Sequence, residues 1–329
     1  MPQNQHILPT GLSFPQTVGE ISRAFDARIR EGRLEGYLPV STGFDDLDHV
    51  LGGGFLSGCL LLLGGRQNVG KTVWALQAAR NVAMGGNIGC LVCYEHSEVH
   101  LFHRLLCMES YLASQDGKGL TLRGIRQAIV DQMSGSESDA SIEQGLQAVL
   151  QAHPSARNAW SNVTNYLDHL FVTRGHPVKT TLNVLRTYVK WLQREWSDRQ
   201  VVLFIDYLQK VPYSLDSRER DKEQQVVMVT EGLKNLALEL GISIVAVAAV
   251  DPAGLKRDEP RVEDLLGSSA VKYEPDAAIM MLRRRMEEGP GVGFAVGKNR
   301  AGPTGVEFVH PLVGRHFCFD PQPAEKRGR

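Results

Sequence analysis

The chain has 329 residues, enough for one large domain or two small ones, and its 43% apolar and 22% charged content is that of an ordinary globular protein, not of a disordered or fibrous one. A formal net charge of −1 gives no global attraction to nucleic acid, so any such binding has to come from a local patch. Five cysteines without paired spacings argue for reduced thiols in a cytoplasm, and no signal peptide, transit peptide or transmembrane stretch is read.

Residues 1–16 carry three prolines and read as a loose arm. Thr17-Val18-Gly19-Glu20 then matches the T-x-x-E capping box at a helix start, and Ile21, Ala24, Phe25 and Ile29 follow at helical spacing before Gly32 closes the element. This amphipathic helix has to bury its stripe against its own domain or against a neighbouring subunit, and periodicity alone does not choose.

Leu60–Leu63 is an apolar run of the length of a buried parallel strand. Gly65-Arg66-Gln67-Asn68-Val69-Gly70-Lys71-Thr72 fits G-x-x-x-x-G-K-[ST], and Val73–Met84 supplies the helix that such a loop opens. Glycines let the loop wrap so that its N–H groups face phosphate oxygens, and the helix N-terminus adds partial positive charge. All eight residues are candidate nucleotide contacts, Lys71 reaching the β- and γ-phosphates and the Thr72 hydroxyl holding Mg²⁺. ATP and Mg²⁺ are the cofactors this pattern implies.

Ile88–Tyr94 reads as the next strand, ending at Glu95. It contains Cys90-x-x-Cys93, whose apolar surroundings favour buried packing over redox or zinc chemistry. The stretch 96–106 reads as a helix with His96, His100 and His103 on one face, a metal-ligand spacing that no other residue completes. Residues 108–165 are expected to be a surface insertion carrying short helices (122–133, 142–150). Strand character resumes at His169–Thr173, and Thr180 is a candidate cap for a helix with an apolar face of Leu185, Val189, Leu192 and Trp196.

Val201–Asp206 is a buried strand that delivers a carboxylate at its C-terminal end. Asp206 is the candidate Mg²⁺ carboxylate of a phosphate-loop NTPase, a structural turn cap being the alternative. No acid directly follows it, which leaves Glu95 as the candidate general base. Ser217–Gln225 is a charge run of the kind usually found in solvated loops; Val226–Leu240 reads as a helix and Ile242–Val250 as a buried strand. Ala277–Leu282 reads as a strand leading into Arg283-Arg284-Arg285, Gly293–Gly297 as another, and Lys298–Gly305 as a basic hairpin. The tail from Pro321 to Arg329 reads as disordered.

Several motifs in a fixed order carry a family resemblance. Thr42-Gly43-Phe44 with Leu47-Asp48 precedes the phosphate loop, Glu95 ends its strand, Asp206-Tyr207-Leu208-Gln209 follows, and Lys298-Asn299-Arg300-Ala301-Gly302-Pro303-Thr304-Gly305 comes late. Over residues 17–320, most weakly in 108–165, the chain resembles the RecA-like ATPase domain of DnaB-type replicative helicases; Gly52-Gly53-Gly54 looks more like the related RadA and KaiC ATPases. The resemblance implies an α/β, RecA-like phosphate-loop core with a mainly parallel sheet (41–320), preceded by an arm and linker helix (1–40) that packs on the next subunit of a ring. It implies that Glu95 polarises the attacking water and that Lys298 and Arg300 enter the neighbour's ATP site. Arg218, Arg220 and Lys222 fall in one channel-facing loop, and Gly267, Ser268, Ser269 and Lys272 in a second, all candidate DNA contacts. Ala249 stands where the family usually has a Gln between the γ-phosphate and the DNA loops. Only about sixteen residues precede the linker-like helix, so the family's N-terminal, primase-engaging domain is not matched. The expected function is an ATP-dependent DNA helicase of the DnaB class: a cytoplasmic homo-oligomeric ring, a hexamer by analogy, on single-stranded DNA, with loader or replication proteins as further partners and no membrane. The alternatives are a RadA- or KaiC-like ATPase in recombination or regulation, and a nucleotide-dependent loader or scaffold without unwinding.

Overall fold

Runs such as Leu60–Gly65 and Val201–Asp206 are buried on both faces, which is what a parallel sheet covered by helices on both sides demands of its central strands. The computed structural model describes residues 14–34, 36–114, 117–134, 150, 154–213, 222–287 and 289–320. In chain order the elements are α1 (Val18–Arg30), α2 (Asp45–Val50), β1 (Leu60–Gly65), α3 (Lys71–Met84), β2 (Ile88–Cys93), α4 (Glu98–Leu112), α5 (Leu122–Ser134), α6 (Pro154–Thr164) and β3 (Leu170–Arg174). There follow α7 (Leu182–Glu195), β4 (Val201–Asp206), α8 (Lys222–Leu240), β5 (Ser243–Ala249), α9 (Ser268–Tyr273), β6 (Ala277–Met286), β7 (Gly289–Asn299), β8 (Glu307–Val313) and β9 (Cys318–Phe319).

Among the described residues the strands form one sheet in the order β3-β2-β4-β5-β1-β6-β7-β8-β9. The first six positions are parallel, and β6 to β9 run on as antiparallel neighbours. Strand periodicity divides the core in two. Leu61, Leu63, Leu91 and Phe204 face the layer holding Trp74, Leu76 and Ala79 of α3. Leu60, Leu62, Cys90 and Leu203 face the layer holding Leu185 and Val189 of α7 and Val229 and Leu233 of α8. Cys90 and Cys93 are both buried, and burial pushes each thiol up to about 12, so they pack as small apolar side chains.

Three local expectations need correction. The described part of residues 108–165 is more than a superficial layer: Leu120, Ile125, Ala156 and Val163 are buried in the same core as α3, while the helix expected over 142–150 lies almost wholly outside the described residues. Fully buried Glu109 accepts hydrogen bonds there from Arg80 and from the Tyr166 hydroxyl (2.7 Å). Thr180 does not cap α7; the N-cap is Thr181, while the Thr180 hydroxyl accepts from the His176 N–H (2.9 Å). The arginine triplet lies inside β6, not beyond it, because β6 and β7 form a long antiparallel hairpin. Arg284 bonds Glu259 and, on β8, Glu307, which holds a polar stretch in strand form against its weak apolar signal.

The capping box of α1 is present as read, with the Thr17 hydroxyl accepting from the Glu20 N–H (3.2 Å) and the Glu20 carboxylate from the Thr17 N–H (2.7 Å). Its apolar stripe is only partly covered: Phe25 is half-buried against the Tyr37 ring, whereas Ile21 is 52% exposed and Ile29 50%. Among the described residues no helix is long and apolar enough to cross a membrane.

Candidate nucleotide and subunit-interface site

The phosphate loop joins the C-terminal end of β1 to the N-terminus of α3. Its path needs left-handed or strained backbone at Gly65 (φ 151°), Asn68 (φ 59°) and Gly70 (φ 101°), positions where Gly, and Asn among other residues, meet the smallest penalty. At Gly65 a Cβ would also lie 2.8 Å from the Met281 carbonyl oxygen of the adjoining strand. Val69 is buried and anchors the loop, whereas Gln67 and Asn68 are exposed. Arg66 donates to the Arg257 carbonyl, and Arg283 donates to that of Gln67 (3.4 Å).

Lys71 Nζ donates to the carbonyls of Gly65 and Arg66, both at 2.8 Å. Burial lowers its pKa, against the raising influence of the Asp206 and Glu95 carboxylates. An ammonium held on neutral carbonyls forms a stronger, charge-assisted bond to a phosphate oxygen. The Thr72 hydroxyl donates to Asp206 Oδ2 (2.7 Å), so strand β4 and helix α3 bring the two expected Mg²⁺ ligands together. Asp206 is 1% exposed, and burial pushes its pKa up, with the bond from Thr72 opposing and the Glu95 charge adding to the rise. A hydroxyl and a carboxylate side by side are the hard-oxygen donors that Mg²⁺ takes while retaining several waters.

Glu95 lines the same cleft of about 600 Å³ as Gln67, Lys71, Thr72 and Asp206. Sequence reasoning missed other residues of that cleft. Arg104 on α4 lines it with its guanidinium 4.8 Å from the Phe317 ring centroid, and its Nε donates to His100 Nε2 (3.1 Å). Arg104 is the single Arg or Lys on α4, two turns after Glu95, and that was the available signal. Burial and the Arg104 and His100 charges push His96 down to about 4, so its ring is neutral at pH 7. Among the described residues no group of three or more His, Cys, Asp or Glu is arranged to hold a metal. Leu312 and Phe317 close the far side from the C-terminal hairpin region, which no motif marked.

Lys298 and Arg300 are not in this cleft. Sheet register pairs Leu61 with Ala277 and Ala277 with Asn299, placing both cations at the N-terminal rim while the phosphate loop leaves the C-terminal rim. Four residues of β1 separate the two rims, about 13 Å at the usual strand rise. Lys298 Nζ donates to the carbonyls of Lys272 (2.7 Å) and Tyr273 (2.9 Å). Arg300 donates to the Tyr273 carbonyl (2.7 Å) and to Asp276 (3.1 Å).

Of the candidate DNA contacts, Arg218 and Arg220 lie outside the described residues, and Lys222 opens α8. Gly267 is the left-handed N-cap of α9, Ser268 and Ser269 open that helix, and Lys272 near its end is exposed. The two segments meet, since a Cβ at Gly267 would fall 2.3 Å from Val226 of α8. Ala249 adjoins them: its carbonyl accepts from the Leu266 N–H (3.0 Å), and its N–H donates to Gln209 Oε1 (3.1 Å).

The replicative DNA helicase DnaB of Geobacillus stearothermophilus is 26% identical over 284 residues, covering 84% of this chain and 54% of that protein. A probable plasmid replicative DNA helicase of Chlamydia muridarum is 27% identical over 270 residues, covering 81% and 51%. The chain thus spans about half the length of the curated relatives it matches. Among solved structures, an isolated ATPase domain superposes with a TM-score of 0.72 at 17% identity, covering 93% of this chain and 99% of that one. A DnaB-like replicative helicase, solved in a study of its interactions with primase, superposes with a TM-score of 0.70 at 18% identity, covering 93% and 67%. At these identities the superpositions establish a shared fold, the RecA-like ATPase fold with its mostly parallel sheet. The family described as DnaB-like helicase C-terminal domain matches residues 39–311, and the chain belongs to that family.

Proposed function

We propose that this chain is the motor of a ring-forming helicase of the DnaB class, which hydrolyses ATP at subunit interfaces while moving along single-stranded DNA and separating the strands. One observation carries the reading. Lys71, Thr72, Glu95 and Asp206 converge at one rim of the sheet, whereas Lys298 and Arg300 stand at the opposite rim, out of reach of their own phosphate loop. A site completed by a neighbour accounts for that separation, and the exposed part of the α1 stripe supplies a means of holding the neighbour. An apolar groove of about 340 Å³, walled by Leu101 and Phe102 of α4, Val163 of α6 and Val172 of β3, is the surface we assign to receive it.

In this mechanism the loop N–H groups and Lys71 bind and orient the triphosphate. Thr72 and Asp206 would hold Mg²⁺, which neutralises phosphate charge when bound. Glu95 takes a proton from the attacking water, and Lys298 and Arg300 of the adjacent subunit meet the charge on the transferring phosphoryl group; such a finger contributes on the order of 10³–10⁵ in rate. Arg104 adds a cation in cis, facing the Glu95 and Asp206 charges. The segments at Arg218, Arg220 and Lys222 and at Gly267, Ser268, Ser269 and Lys272 contact the DNA backbone.

Two measurements test this. ATPase activity stimulated by single-stranded DNA is expected, and its absence would favour a nucleotide-dependent loader or scaffold. Strand separation on a forked substrate is expected, and DNA-stimulated hydrolysis without it would favour a RadA- or KaiC-like ATPase.

A further inference from the structure

Helix α9 has six residues, too few to persist without tertiary support, and the carbonyls of its last turn have no partner within the helix. Two of them, those of Lys272 and Tyr273, accept hydrogen bonds from Lys298 and Arg300. Cations at a helix C-terminus also suit its dipole. The same two cations that the proposed function sends into the neighbour's ATP site therefore hold the end of a DNA-segment helix in their own subunit.

Asp276 makes this arrangement specific. Its Oδ1 accepts from Arg300 (3.1 Å), while its Oδ2 accepts from Lys234 of α8 (2.7 Å) and from the Leu60 N–H (2.8 Å). Its backbone is tied as well: the Asp276 N–H donates to the Leu60 carbonyl and the Asp276 carbonyl accepts from the Arg300 N–H, both at 2.8 Å. The carboxylate is thus fixed to β1 and α8, and Arg300 pivots on a rigid anchor.

We propose that Asp276 is the positioning residue for Arg300, and that Lys298 and Arg300 exchange the α9 carbonyls for the neighbour's phosphate, so that nucleotide in one subunit loosens the 266–273 segment of the next. A charged phosphoryl oxygen is a stronger acceptor than a neutral carbonyl, which gives the exchange its direction. Freed of both cations, the Lys272 and Tyr273 carbonyls fall back on water, and α9 keeps internal bonds such as Val271 N–H to Gly267 O (3.2 Å) and Glu274 N–H to Ala270 O (2.9 Å). The segment connects directly to the nucleotide strand through the Leu266–Ala249 bond, so α9 can move without breaking the sheet. This linkage needs no glutamine at position 249.

The coupling rests on the trans reading above, and the experiment separates the two. Hydrogen–deuterium exchange of the peptide covering 266–276 is measured in the assembled protein with and without a non-hydrolysable ATP analogue, alongside ATPase rates. In the unmodified protein the analogue should speed exchange there by at least about fivefold, the lower end of ordinary coupling between sites. In Arg300→Ala, and in the milder Lys298→Gln, exchange should be fast with or without the analogue. Asp276→Asn should lower kcat while leaving nucleotide affinity unchanged, and its chains, like Arg300→Ala chains, should restore activity to Lys71→Ala chains in mixed rings, where an intact Arg300 faces the intact Lys71; failure to restore it would show that Asp276 acts other than through Arg300. Exchange that ignores the analogue in the unmodified protein, with Arg300→Ala inactive as an ATPase, overturns the coupling alone. An Arg300→Ala protein with full ATPase activity overturns the trans reading and the coupling with it.

Discussion

Replacing Asp206 by Asn should make the protein more stable and inactive at once. The carboxylate is almost wholly enclosed, and burial raises its pKa although Thr72 and Cys93 donate to it (2.7 and 3.6 Å). An asparagine oxygen can still accept from Thr72, so the change forfeits only the charge-assisted part of that bond, about 1 kcal/mol. Against this stands the penalty of an enclosed ion, several kcal/mol before compensation by Lys71. The balance favours Asn by roughly 0.5–2 kcal/mol, the usual yield of relieving a strained functional group. For a chain of this size that raises Tm by about 1–4 °C. The sign with pH follows from linkage. A carboxyl whose folded pKa lies above its unfolded value of about 3.9 costs stability once ionised, so the gain grows as pH rises through that window and vanishes as pH falls to about 4. Ligand-linked stabilisation should move oppositely: Mg²⁺–ATP at a hundred times its Kd adds about 2.7 kcal/mol to the parent and much less to the Asn protein. Thermal unfolding in EDTA and in Mg²⁺–ATP, at pH 4 and pH 7.5, reads all of this. A Tm for Asp206→Asn that is lower than the parent's in EDTA at pH 7.5 would show that the carboxylate is a structural cap, and the metal role would fall.

Glu95→Gln should keep nucleotide affinity and lose roughly 10²–10⁴ in turnover, because shape is preserved and proton acceptance is not; Lys71→Ala should lose hydrolysis through the missing phosphate contact. Normal turnover by Glu95→Gln would show that another group activates the water. Mixing Arg300→Ala chains with Lys71→Ala chains should restore part of the activity that neither has alone, and rings shown to be mixed yet still inactive would argue against a composite site. Ala249→Gln, at a position that lines the nucleotide cleft and bonds Leu266, should raise DNA-stimulated turnover by a factor within the ordinary 5- to 150-fold range of coupling. Strong stimulation in the unmodified protein would mean that Ala249 costs the coupling nothing. Below pH about 6.5 stability should fall, because His310, enclosed between Phe44 and Phe294, has its pKa lowered by burial and the unfolded chain takes up the proton first. His310→Gln should flatten that acid limb as followed by Tm, and an unchanged limb would assign it to other groups.

The central strands and the phosphate loop were legible in the residues themselves, because their causes are local. A leucine run buried on both faces, glycines that the loop backbone requires and a lysine one position past the last glycine are written consecutively from Leu60 to Thr72. Asp206 was legible for the same reason, standing at the end of an unbroken apolar strand, and so was the capping box at Thr17 and Glu20. The hairpin of β6 and β7 was read short, since Arg283–Arg285 and the glycines of β7 carry no alternation and are held as strand by partners such as Glu307. What lay outside the sequence were the relations between segments far apart in the chain. Arg104 reaches the nucleotide cleft only because α4 packs beside α3 and the turn at Gly314–His316, and Leu312 and Phe317 reach it only because the last strands return there. The opposite placement of Lys71 and Arg300 is a consequence of strand direction, as β1 runs towards one rim and β7 runs back to the other. The clasp of Lys298 and Arg300 on the Lys272 and Tyr273 carbonyls involves backbone atoms, which have no letter of their own, so only the tertiary structure could reveal it.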